Sequence, residues 1–494
     1  MGDENTILST AEARHFLRRT GFGARPDEVA GFAGLTRGEA ADRRLSFKRS
    51  SYKPGSGKEL FQVQDRWFQH MLKRTTPSLQ EKLVLFWHDH FATSNASVGD
   101  PRLMSAQNRT LRYHARGNMR SLVKDIGRDI AMLEFLNTQQ NHKSQPNENY
   151  ARELLELFTL GVHDFGGNEN YRQGDIVQIA RAFSGWRRFP AKYKVYFDPT
   201  QHDFEVEFPE RGPKVVFTET GGFGPAGRAF DDLGEGKDEI DRVVDVIFDH
   251  TDSEGQNTVA RRTTARLLEY FAHGEFADPA IARPVVDAIL AESGFDGSFE
   301  ITPLLRALFV NDAFYETLGM PPYGPISKRS VKWPVDLVVG TVRMLDIQTK
   351  KNNVAGGAQR AVREHVARMG QSLMEPPSVF GWDWENAWIN SGGMLARFSF
   401  ARDVGMARSG GNSFQLRTDQ LVPLDLTDPA EIVDAAADVL GIGAELSVAE
   451  KNAFATYLTS EGGPPLDLSD EGFRQRKLNG LFCLLLQSPA YQVH

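Results

Sequence analysis

The 494-residue sequence has one cysteine, Cys483, which excludes an internal disulfide framework and any Cys-rich zinc module. No window holds the ~18 uninterrupted apolar residues that a membrane helix needs. The opening Met1-Gly2-Asp3-Glu4-Asn5-Thr6 lacks a basic stretch followed by an apolar run. No secretory signal is therefore visible, and a cytoplasmic location is the expectation. Excess positive charge is missing as well. Lys and Arg number 57 against 65 Asp and Glu, a net charge of −8, which argues against a broad nucleic-acid surface. Walker A, G-x-G-x-x-G, H-E-x-x-H and G-x-S-x-G signatures are all absent. Glu153 and Glu156 do not form the Glu-x-x-His pairs of a di-iron bundle.

What is present is helical periodicity and a sizeable supply of apolar residues, 40% of the chain. Amphipathic helices are predicted near 9–19, 25–32, 60–73, 78–91, 101–116, 119–135 and 147–160. Asp100-Pro101 supplies a cap and a first-turn proline, and Gly161 a C-terminal stop. Between 187 and 236 the texture changes. Tyr193–Phe197, Phe204–Phe208 and Lys214–Phe217 read as short strands among glycines. Helices resume at 238–250, 256–272, 279–293, 301–310, 332–346 and 358–373, followed by an aromatic loop from Pro376 to Trp384. The expectation is a mainly α fold. A helical core spans 9–405 and carries a β-containing insertion at 187–236. A linker or extended crossing at 406–428 leads to a C-terminal helical appendage at 429–494.

Polar residues that fall inside apolar stripes are the informative ones. On the 79–91 wheel, His90 falls between Leu79 and Leu83, whereas His88 lies on the flank near Glu81. Two histidines at i and i+2 grip one metal only if the helix ends at His88. Asn108 sits within the stripe of 101–116, with Gln107 and His114 at its border. Such residues either pin helices together or line a polar pocket. Glu153 falls between Leu157 and Leu160, with Asn149 and Glu156 on the polar side. A carboxylate so placed needs a cation, a proton or a metal, and Arg152 points elsewhere. His202-Asp203 is either aimed at the helical pocket or a surface pair. Arg181 and Trp186-Arg187-Arg188 either bind an anion or cap carbonyls. Trp382, Trp384 and Trp388 offer stacking platforms or plug the bundle.

Several stretches resemble the bacterial family known as domain of unknown function 1800. They include Ala13-Arg14-His15, Arg19-Thr20-Gly21-Phe22-Gly23, Phe86-Trp87-His88-Asp89-His90-Phe91, Asn147-Glu148-Asn149-Tyr150-Ala151-Arg152-Glu153, Ala180-Arg181-Ala182-Phe183-Ser184-Gly185-Trp186, Pro376-Pro377-Ser378-Val379-Phe380-Gly381-Trp382 and Ser488-Pro489-Ala490-Tyr491-Gln492. The resemblance covers nearly the whole chain. It implies a mostly helical protein, often exported, and often encoded beside a second family that resembles alkaline-phosphatase-like hydrolases, a protein partner. This chain departs by showing no export signal. It also departs by following His202-Asp203 with acidic Phe204-Glu205-Val206-Glu207, where the family often has Gly and Lys.

Three readings follow. In the leading one, the protein is an enzyme with a buried polar pocket holding one divalent transition metal (zinc, iron or manganese). His88, His90, Glu153 and His202 would be ligands, and Glu153, His114 and Arg181 the catalytic groups. Asn108, Asn149, Glu156, Asp203 and Trp382 would complete the pocket, and the chemistry would be hydrolytic or oxidative. In the second, the same residues only pin helix register in a non-catalytic partner or assembly protein. In the third, the tryptophans bind carbohydrate.

Overall fold

Helix boundaries follow the local capping chemistry in this computed structural model, which describes residues 2–49, 57–76, 78–189, 193–204, 212–231, 236–318, 330–349, 358–406, 414–460 and 466–494. Ser9 and Glu12 form a reciprocal capping box at the start of Thr10–Arg19. Asp100 caps Pro101–His114, and Asn257 caps Thr258–Phe271 by accepting from the Ala260 N–H. The region predicted as one helix at 119–135 is two, Met119–Ile126 and Ile130–Phe135. Asp129 breaks it by accepting from the Met132 N–H and capping the second. A further helix, Arg37–Leu45, escaped the periodicity reading because it holds few large apolar residues. Its local signal is the Thr36/Glu39 capping box.

The largest departure concerns 147–160. The α-helix covers only Asn149–Glu153, and Leu154–Thr159 continues it as a π-helix. The Leu160 N–H reaches back five residues to the Leu155 carbonyl at 2.9 Å. One extra residue per turn changes the phase of every side chain beyond 153 relative to an α wheel.

The chain is mainly α, with small antiparallel strand pairs. Trp186–Phe189 pairs with Lys194–Phe197, and Val215–Val216 with Arg228–Ala229. Residues 205–208 of the expected Phe204–Phe208 strand lie outside the described residues. Within 406–428, Phe414–Gln415 pairs with Gln348–Thr349, and Thr418 Oγ1 hydrogen-bonds Asn479 Oδ1 at 3.2 Å. Beyond it, helix Asn479–Gln487 lies close on Ser391–Gly405. A Cβ at Gly405 would sit 2.7 Å from the Asn479 carbonyl and 2.8 Å from Cys483 Cβ, so glycine permits that approach.

Distant parts of the chain also meet through buried charge. Lys82 Nζ, on Ser78–His90, bonds both carboxylate oxygens of Asp336, on Pro334–Met344, at 2.8 and 2.9 Å. His494 Nε2 stands 3.6 Å from the same carboxylate. Among the described residues, no helix is long and apolar enough to cross a membrane.

Candidate active site

The residues expected to share one pocket belong to separate networks. Helix Ser78–His90 runs through both histidines, so His88 and His90 diverge. His88 is buried, not on the flank, because nearly all of this helix is enclosed; its Nε2 accepts from the Met374 N–H at 3.0 Å. His90 Nε2 lies 3.1 Å from the Phe158 carbonyl. His202 is fully buried elsewhere, with Nδ1 2.9 Å from the Ser184 carbonyl and Nε2 3.2 Å from Glu239. Among the described residues, no group of three or more His, Cys, Asp or Glu is arranged to hold a metal, so the expected ligand set does not assemble.

The remaining candidates are dispersed in the same way. Arg181 binds Asp203 at 3.1 Å, a fully buried pair that ties the insertion to helix Gln173–Ala182. His114 Nε2 meets Asp125 at 2.6 Å. Asn108 Oδ1 accepts from Arg112, which also pairs with buried Glu81. Asn149 is exposed. Glu153 is half-buried and its carboxyl is raised by that burial and by Glu156. It ends the α-helical segment, and the π geometry beyond it shifts Leu157 and Leu160 off the α wheel that placed them on either side of it. Glu156 accepts a 3.4 Å hydrogen bond from the Tyr171 hydroxyl. Trp382 is buried with its ring edge-on to His88, and Trp384 is covered by Arg266, so neither presents a free stacking face.

One of the expected residues, His90, does line a cleft of about 410 Å³. The last turn of Ser78–His90 contributes Asp89 and His90 to it. The π-helix and its exit contribute Leu157 and Leu160, and the loop from Val379 to Phe380 forms a lip. The long wall is helix Thr258–Phe271, through Thr258, Arg261, Arg262, Ala265, Arg266 and Glu269. These positions recur every three to four residues and so share one helix face. Ala265, at its middle, leaves the space open.

Asp89 is the centre of the chemistry. It is 2% exposed, yet it borders the cleft. Oδ1 accepts from the Trp382 backbone N–H at 2.7 Å and Oδ2 from the Trp384 indole at 2.8 Å. Burial drives its carboxyl up to about 7; the Trp382 N–H, Arg266 and Trp384 pull it down, and the Glu269 charge adds to the rise. Gly381 makes this contact possible. Its φ is +83°, and a Cβ there would collide with the Asp89 carboxyl.

His90 is pulled down to about 3, first by burial and then by Arg266, so it is neutral near pH 7. A carbonyl can only accept, so Nε2 carries the proton, and Nδ1 keeps its lone pair. Glu269 is raised by burial but held by Arg266 at 2.9 Å. Arg266 in turn stacks 4.0 Å over the Trp384 ring.

Helical periodicity alone does not single out Asp89, Arg262, Arg266 or Glu269. Asp89 lies between two histidines in the stretch Phe86–Phe91, and nothing in that spacing marks it. The 258–269 stripe was visible as charged residues at helical spacing, but a charged stripe ordinarily faces solvent. Only the packing of the Val379–Phe380 lip and the π-helix against it makes a cleft.

The family described as "Protein of unknown function (DUF1800)" matches residues 15–493. No curated protein and no solved structure matches the chain.

Proposed function

The chain belongs to this DUF1800 family, whose description assigns no activity, so from its own cleft we propose that the protein is an enzyme doing general acid–base hydrolysis. Asp89 is the general acid. It gives its proton to the leaving oxygen as the scissile bond breaks. Glu269, paired with Arg266 at 2.9 Å, takes a proton from the attacking water, and solvent exchange resets both groups. His90 Nδ1 accepts a hydrogen bond from the substrate. Burial raises both carboxyls, Asp89 to about 7; a raised carboxyl at a cleft wall is suited to act as a general acid, and such transfer contributes typically ~10²–10⁴-fold to a rate.

The observation that carries this reading is the Asp89 carboxyl, buried at the cleft wall between the Trp382 N–H and the Trp384 indole and pushed up to about 7 by that burial. The test pairs infrared difference spectroscopy of wild type and Asp89→Asn with a panel of chromogenic esters, phosphoesters and glycosides. The expected result is a carboxylic-acid band titrating near neutrality. An activity that declines as pH rises through that value, and that Asp89→Asn and Glu269→Gln abolish without unfolding, completes it. An Asp89 titrating in the ordinary carboxylate range would overturn the reading.

A further inference from the structure

The three cleft arginines differ in what neutralises them. Arg261 is saturated: it reaches Asp252 and Glu254 at 2.8 Å and Asp287 at 2.7 Å. Arg266 has Glu269 and the Trp384 face. Arg262 has no carboxylate at ion-pair distance among the described residues. Its hydrogen bond runs from Nη2 to the Glu156 main-chain carbonyl at 3.0 Å, and its Nε is buried without a partner. The guanidinium is wedged over Gly161, where φ is +78° and any Cβ would collide with Nη1. The Glu156 carbonyl and the glycine therefore set its plane at the cleft wall from two sides. Arg262 thus lines the cleft with its charge unmatched by a carboxylate at ion-pair distance among the described residues, and a guanidinium in that state suits an oxyanion.

We propose that the cleft binds an oxyanion, the phosphate or carboxylate group of its substrate, at Arg262. This deepens the hydrolytic reading and rests on it for the anion's role as substrate, though the binding itself does not depend on Asp89. Neutral Asp89 favours the same outcome, because it adds no repulsive charge on the cleft wall below about pH 7. Burial has already drawn the Arg262 guanidinium down to about 10, and an anion restores what that burial removes.

The test is calorimetric titration of the full-length protein with inorganic phosphate and with acetate, at constant ionic strength and pH 6.5. Saturable binding of at least one is expected. Phosphate alone identifies a phosphate-bearing substrate, and acetate alone a carboxylate. Arg262→Gln is expected to weaken binding at least about tenfold, and Arg262→Lys to lose less, because it keeps the charge but not the fork. Should Arg262→Gln fail to fold, Ala265→Leu, which fills the cleft without touching charge, is expected to abolish the same binding. No saturable binding by wild type, or equal binding by the folded variants, overturns the proposal. If anions bind at Arg262 while Asp89 titrates as an ordinary carboxylate, the acid–base reading fails and the anion site stands. The reverse pattern removes only the anion site.

Discussion

Asp89 makes a stability claim as well as a chemical one. Its folded value of about 7 exceeds the usual 3.8, so the folded state holds a proton that the unfolded chain has released between those values. The folded state therefore loses ground as pH rises through that window, by up to about 4 kcal/mol at ~1.4 kcal/mol per unit. Asparagine carries no such penalty. The melting temperature of Asp89→Asn relative to wild type should rise between pH 5 and pH 8, and a flat difference would show that Asp89 is ionised throughout. Gly381→Ala is expected to cost about 2–3 kcal/mol in urea denaturation, since it meets both a left-handed φ and the Asp89 carboxyl. At this scale the sequence was partly legible. His90 was expected inward from its place between Leu79 and Leu83, and it does border the cleft. His88 and His202 were expected as metal ligands, but each meets a main-chain partner that no spacing reveals.

Helix Thr258–Phe271 shows what a single element contributes. Its buried side enters the core through Val259, Leu267, Leu268 and Phe271, while its cleft face carries three arginines and a glutamate around Ala265. Enlarging that alanine fills space that is already open. Ala265→Leu is therefore expected to change stability by less than about 1.5 kcal/mol while eliminating ligand binding and turnover; thermal melts beside activity assays check both. The π-helix at Leu154–Thr159 was not legible, because apolar spacing alone does not distinguish an i→i+5 turn from an α turn. Its effects are specific, however: it shifts Leu157 and Leu160 off the α wheel that placed them beside Glu153, and the Phe158 and Glu156 carbonyls meet His90 and Arg262.

Across the whole molecule, buried charge links elements far apart in sequence. Asp336 is held far below the usual carboxylate range, against its burial, by Lys82 and His494. Asp336→Ala leaves the Lys82 ammonium buried alone and should cost about 3–5 kcal/mol. Lys82→Met with Asp336→Leu should recover most of that loss, as chemical denaturation of the single and double variants would show. Acid sensitivity also belongs to this scale. His15 and His90 are drawn down to about 3, and His88 and His250 to about 4, chiefly by burial. Below about pH 6 the unfolded chain takes up protons on all four while the folded chain does not. Asp89 and Asp129, both raised to about 7 by burial, act in the opposite direction. The four histidines favour the unfolded chain as pH falls below about 6, so stability should decline there. Urea midpoints that stay level from pH 6.5 to 5 would contradict this.

Composition and periodicity determined the mainly helical class, and capping residues such as Asp100 and Asn257 determined where many helices begin, because those forces act within one or two turns of the chain. The family was legible because its motifs are contiguous. The tertiary structure alone decided which polar residues share a space, since a side chain's partner is set by elements hundreds of residues away. Trp382 lies 293 residues from the Asp89 carboxyl it meets, and Arg262 lies 106 from the Glu156 carbonyl that orients it.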